Sequence, residues 1–445
     1  MASRMVLERV ALKTLQRFHH ETLNTFSDQE TLVDAVQNRP GIFGANPVSF
    51  LSIRARRPGV RISDLEEALL NDRSLLRAGA FRGSLFVLSA VDYPIYYRSL
   101  YHLLQTQGME TLRKAGIDER QLFRCSYLLK ESQFELPRTM EQLTEVIFPA
   151  LKKKYEPEVL RLLFRKLCDV GVLVRTSNKG WRGNDFAYAL FEKWLPDINL
   201  SGENPESART EIVRRYLRCY GPASLEDIAW WTGFGSTQIQ RSIGHLRREA
   251  VRFPVEGFRE DLVGLRECVE LLRKPEQARA PIQFLPPWDP FTFGWANKRR
   301  VIEKEWQPWV YDNACNAAST IVESGRVVGI WQFRDVPTNM FEFHVFAPYA
   351  AKRREIFHAA EEFVTELAEL SSAPSIQLFE RELGRTLAER GRSAFMWPLG
   401  KEILKDTSNT RVASSPMERR TSNTFRNRYL DAEHLVRPGA EATLS

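Results

Sequence analysis

The sequence predicts an α+β protein in which tandem winged-helix (helix-turn-helix) domains precede a C-terminal β-rich domain. Three observations predict it. A pattern of short amphipathic helices closed by a hairpin recurs before Pro281, and beyond it the texture changes to short β-like runs. At 445 residues and 51.4 kDa the chain is also too long for one core, because domains run to roughly 100–200 residues.

The first unit occupies residues 1–130. DQETLVDAVQN reads as a helix from Asp28 to Asn38, the loop RPGIFGANP follows, a second helix covers SFLSIRAR and a third, capped by Ser63, covers DLEEALLND. LLRAGAFRGSLFVLSA then reads as two strands around a glycine-containing turn. In the second unit, 131–200, Thr139 to Gln142 form a capping box, Pro157 opens the helix EVLRLLFRKLCDV and Gly171 ends it. VLVRT and DFAYALF are partner strands, and the turn between them carries Arg175, Lys179 and Arg182.

The third unit, 201–278, begins after the polar linker SGENPES. TEIVRRYLRCYG gives one helix, Ser224 caps a second across LEDIAWW, and STQIQRSIGHLRRE gives a third after the turn TGFG. Its apolar Ile239, Ile243 and Leu246 leave Gln238, Gln240 and Arg241 on other faces, as in a helix-turn-helix that reads a major groove. The β-rich domain, 279–400, contains QFLPPWDPFTFGW, ASTIVESGRVVGIWQFR with a hairpin turn at SGR, MFEFHVFAP, a helix from Lys352 to Leu370, and SIQLFE. In 401–445 apolar residues thin out and the tail is expected to be disordered.

Composition bounds the function. With 43% hydrophobic and 27% charged residues the chain can bury a core, and it has no run of 18 apolar residues and no apolar signal-peptide core. A soluble, cytoplasmic protein with no membrane partner is expected. The five cysteines are tens of residues apart without a CxxC pair, so neither a metal site nor a disulfide framework is expected, and no cofactor. No phosphate-cradling GxxxxGK loop, HExxH helix or GxSxG elbow is present.

Lys and Arg exceed Asp and Glu by 63 to 56, a net charge of +7, which permits an anionic partner without requiring one. Repeated helix-and-hairpin units with basic tips favour double-stranded DNA as that partner. The candidate contacts are Arg54, Arg82, Arg175, Lys179, Arg182, Gln238, Gln240, Arg241, Arg299 and Arg300. For each arginine and lysine the ordinary alternative is a solvated face. Trp230 and Trp231 are one helical step apart, so at most one is buried in the unit and the other covers its edge.

The blocks YGPASLEDIAWWTGFGSTQIQRSIGHL, AFRGSLFVLSAVDY and FLPPWDPFTFGWANKRRVIEKEWQ, in that family's order with GRVVGIWQFRD, resemble the AlkZ-like (YcaQ-like) winged-helix DNA glycosylases over about residues 10–400. The resemblance implies metal-free excision of alkylated, N7-substituted purines, or crosslink unhooking, from DNA in a concave basic channel. A cationic N7-alkylated base leaves readily, so such a site chiefly stabilises the sugar and aims a water. The resemblance also implies a catalytic Gln-apolar-Gln or Gln-apolar-Asp triplet just before the helix PVSFLSIRAR.

The matching positions here are Gly44, Ala45 and Asn46. The first polar side chain is missing and the second is a shorter amide. If the lost glutamine acted as an oriented donor, its absence would remove about 2–4 kcal/mol of transition-state stabilisation. Asn46 therefore either positions water in a reduced site or is an ordinary turn residue beside Pro47. A DNA N-glycosylase and a non-catalytic DNA binder, such as a lesion sensor or transcriptional regulator, both fit. Asp289 in PPWDPF is either a turn cap or the partner of Arg299 and Arg300.

Overall fold

The computed structural model describes residues 9–23, 30–151, 153–176, 185–272, 281–313, 315–334, 339–371, 376–384 and 386–387. Lys179, Arg182 and the tail 401–445 lie outside them. The fold is mixed α+β. It divides into two compact units, one built from segments within Met1–Phe26, Pro222–Asp227 and Arg252–Ser445, the other from Ser27–Gly221 and Ile228–Val251.

After α1 (Leu12–Leu23), which belongs to the first of these, the chain enters the second. There α2 (Leu32–Gln37) is opened by Thr31, whose hydroxyl accepts from the Asp34 N–H while the Asp34 carboxylate accepts from the Thr31 N–H. Strand β1 (Ile42–Phe43), α3 (Val48–Arg54) and α4 (Ile62–Glu66) follow. The start of α4 differs from the expected Ser63 cap: Asp64 reaches back to the Arg61 N–H at 2.8 Å, so the helix begins one residue before Ser63.

Strands β2 (Leu75–Gly79) and β3 (Leu85–Ser89) form the expected hairpin, with Arg77 opposite Val87. Helices α5 (Tyr93–Thr106), α6 (Met109–Ala115) and α7 (Glu119–Glu131) come next, then β4 (Arg138–Thr139), α8 (Met140–Ile147) behind the Thr139 capping box, and α9 (Pro157–Asp169). β5 (Leu173–Arg175) and β6 (Ala187–Leu190) pair antiparallel. All six strands share one sheet in the order β1-β3-β2-β5-β6-β4, because Arg77 of β2 pairs with Arg175 of β5. Two hairpins nearly a hundred residues apart in sequence are thus one structural layer, and Leu112, Cys125, Leu143, Phe164 and Leu173 make the core beneath it.

A short helix α10 (Phe191–Trp194) leads to α11 (Pro205–Tyr220), α12 (Leu225–Thr232) and α13 (Ser236–His245). Trp231 is buried among Tyr216, Tyr220, Phe81 and Phe86, with ring centroids 4.8–6.4 Å away. The half-buried Trp230 lies under the Arg82 guanidinium at 4.0 Å. One tryptophan is core and its neighbour covers an edge, as their one-step spacing requires.

The remaining unit contains the ribbon strand β8 (Leu262–Leu265), which pairs with β7 (Ala250–Phe253), then α14 (Arg266–Leu272), β9 (Gln283–Leu285), α15 (Pro290–Phe293) and α16 (Gln307–Val310). Strands β10 (Thr320–Glu323), β11 (Arg326–Arg334) and β12 (Met340–Val345), helix α17 (Arg353–Ser371) and β13 (Gln377–Glu380) complete it. The five-stranded sheet runs β13-β12-β11-β10-β9. Its β10–β11 turn sits at Ser324 and Gly325 with φ of 50° and 79°, where the left-handed backbone favours glycine. A Cβ on Gly325 would lie 1.8 Å from the Gln16 carbonyl oxygen of α1, so this turn admits no larger residue. Among the described residues no helix is long and apolar enough to cross a membrane.

Candidate functional site

The triplet loop is built by the sheet. β1 pairs with β3 through Ile42–Val87 and Phe43–Phe86, and the Gly44 N–H continues that ladder to the Leu85 carbonyl at 2.7 Å. A Cβ on Gly44 would come within 2.9 Å of the Phe86 backbone carbon. No side chain enters there without moving β3, so Gly44 is a packing requirement and the loop has no room for the missing glutamine in its present course.

Asn46 is 3% exposed and joins Pro47 through a cis peptide. Its Oδ1 accepts from the Ser49 hydroxyl at 2.7 Å and from Arg77 Nη2 at 2.9 Å. Arg77 Nε donates in turn to the Gly44 carbonyl at 3.0 Å. One guanidinium therefore ties both ends of the triplet to the centre of the sheet. Burial pushes Arg77 down to about 10, with the Glu66 carboxylate opposing the shift, so it remains a cation at neutral pH.

An amide oxygen has two lone pairs, and these two donors occupy them. An oxygen engaged in this way does not accept a proton from an attacking water. The arrangement stabilises the loop; it does not present a base.

Sequence reasoning missed Arg77. The signal was an arginine in the middle of the otherwise apolar LLRAG, where a buried strand position demands a paired partner for a charge.

The DNA candidates fall into different environments. On α13, Gln238, Gln240 and Arg241 are exposed while Ile239 and Ser242 are buried. Gln238 Oε1 is used locally, accepting from the Gly235 N–H at 3.0 Å, and Arg241 Nε stands 3.7 Å from Glu206. Arg82 occupies the tip of the β2–β3 hairpin with φ 53°, its charge over Trp230. Arg175 is half-buried in β5, with Phe186 at 5.9 Å.

Two expectations need correction. Arg54 is buried and its Nη1 donates to the Val60 carbonyl at 3.0 Å, so the guanidinium faces backbone and not a phosphate. Arg300 is 1% exposed, with Nη2 3.0 Å from Asp227 Oδ2 and Nη1 2.8 Å from the Pro222 carbonyl. The Asp227 carboxylate is also held by the N–H groups of Ser224, Ala296 and Asn297. Such a pair is withdrawn from DNA because exposing it would strand a buried carboxylate.

Asp289 is buried as the cap of α15, accepting from the Phe291 N–H at 2.9 Å, and it is Asp227 that takes Arg300. Arg299 remains exposed.

Arg165 and Lys166 of α9 are similarly internal. Arg165 donates to the Gly83 carbonyl at 2.6 Å, and Lys166 donates to the Leu104 and Gln105 carbonyls at 2.5 and 3.1 Å and also to that of Gln107. The C-terminal half of α9 is a core element. Cys125, Cys168, Cys219 and Cys268 are buried, Cys315 is half-buried, and none of the five is in a disulfide. Among the described residues, no cluster of His, Cys, Asp and Glu is placed to hold a metal ion.

Comparison with known proteins adds three findings. The family model described as DNA glycosylase AlkZ-like matches residues 33–372, which include the triplet loop, both hairpins and most of the five-stranded sheet. An interstrand DNA cross-link repair glycosylase of Streptomyces sahachiroi is 25% identical over 303 residues, covering 65% of this chain and 79% of that one. The solved Streptomyces sahachiroi DNA glycosylase AlkZ aligns with a TM-score of 0.66 at 19% identity, over 84% of this chain and 100% of the other, a likeness of fold.

Proposed function

Because the chain belongs to the AlkZ-like DNA glycosylase family, we propose that it binds duplex DNA carrying N7-alkylated or crosslinked purines as a lesion-recognition protein whose base excision is strongly reduced or lost. The single observation that carries the loss is the Asn46 oxygen, which is engaged by Ser49 and Arg77 inside the sheet. Gly44 supports it, since its packing against Phe86 leaves no space for a second amide. Without an oriented group, water attack loses about 2–4 kcal/mol, a hundredfold or more in rate.

In this reading the helix-and-hairpin stretches act as winged helices in a monomer at the nucleoid. α13 serves as the recognition helix, with Gln240 and Arg241 toward DNA, and the exposed Arg299 adds a phosphate contact. The relative named as a cross-link repair glycosylase favours a second reading, in which Asn46 retains excision.

The binding half is tested by titrating a short labelled duplex at graded salt. The affinity is expected to fall linearly on a log–log plot, and Arg241→Gln to reduce the slope by about 0.9, one phosphate's worth. An affinity indifferent to salt would contradict it.

A further inference from the structure

We propose that the outer face of α7 is a landing site for single-stranded DNA; this rests on the DNA-binding reading above. Gln121, Cys125 and Leu129 turn one stripe of the helix into the core. The opposite stripe carries Arg120, Phe123, Arg124 and Tyr127, spaced three and four residues apart and all exposed. Phe123 is 72% and Tyr127 55% exposed, and neither ring meets another among the described residues. Phe148, 49% exposed, follows α8 in a turn that packs against α7.

The charges on this face select the occupant. Arg120 and Arg124 make no ion pair among the described residues, whereas the neighbouring Arg113 is paired with Glu119. Glu131 continues the stripe beyond Tyr127, and Lys130 at its edge is 3.9 Å from Glu192, so the face keeps a cationic surplus. Two open aromatic faces flanked by guanidinium groups that make no ion pair among the described residues suit a polyanion whose bases are free to stack. A single strand offers both bases and phosphates, while a duplex hides its base faces. Such strands arise where a lesion has disrupted pairing, next to the duplex such a protein would grip.

The test compares full-length parent and Phe123→Ala/Tyr127→Ala protein on a labelled oligothymidine and on a duplex, with unfolding midpoints as a folding control. The variant is expected to bind the single strand at least tenfold more weakly and the duplex within twofold of the parent. Arg120→Gln/Arg124→Gln should lower the single-strand salt slope by about 1.4, at about 0.7 per phosphate. Single-strand affinity within twofold of the parent, or an equal loss on both nucleic acids, overturns the proposal. If the parent ignores the duplex but the variant still loses the single strand, the lesion-binding reading fails and the α7 site stands.

Discussion

Arg77→Leu is expected to destabilise the unit that contains the six-stranded sheet by about 2–5 kcal/mol, read as a fall in urea midpoint at unchanged slope. The magnitude follows from what the arginine satisfies: the Gly44 carbonyl and the Asn46 amide oxygen both lose a charged donor in a region closed to water. Removing the donor to the Gly44 carbonyl costs about 1–3 kcal/mol, and Asn46, which keeps its bond from Ser49, loses a charge-assisted bond of about 1.5–3 kcal/mol. Leucine fills part of the volume and none of the hydrogen bonding. Arg77→Lys should fall between, since a single ammonium lacks the fork that reaches Gly44 and Asn46 together. A loss below 1 kcal/mol for the leucine variant would mean that the triplet loop does not depend on this guanidinium.

The second large effect lies in the other unit. Arg300→Leu leaves the Asp227 carboxylate buried without its cation and is expected to cost about 3–5 kcal/mol. The adjacent Arg299→Leu should stay within about 0.5 kcal/mol, because that side chain is exposed. The two residues are neighbours in sequence and opposites in environment. Equal effects from both, measured by chemical unfolding, would show that the Arg300–Asp227 pair is not the anchor described above.

What could be read from the sequence was local. The Thr139–Gln142 box, the Pro157 start of α9, the Ser224 cap and the Ser324–Gly325 turn each depend on residues within a few positions of one another, and each formed where expected. What could not be read depended on distant partners. No periodicity signals that β2 pairs with β5, which merges two hairpins into one sheet and lets Arg77 stand behind the triplet loop. Arg300 looked like a surface cation in KRR, and only its meeting with Asp227 from α12 makes it internal.

Asn46 shows the same limit: the sequence revealed a departure from the family's triplet, but not that the surviving amide turns toward an arginine. The aromatic–basic stripe on α7 was not read from ERQLFRCSYLLK, because which face is buried is set by the packing of Cys125 and Leu129.

Base release from a duplex containing N7-methylguanine, with protein saturating and abasic sites counted over time against the same DNA alone, tests the central claim most directly. The engagement of Asn46 by Arg77 and Ser49 predicts a bound complex that yields abasic sites at the spontaneous rate. Abasic sites accumulating well above that rate would mean that the loop opens to aim a water, and that this chain is a working glycosylase.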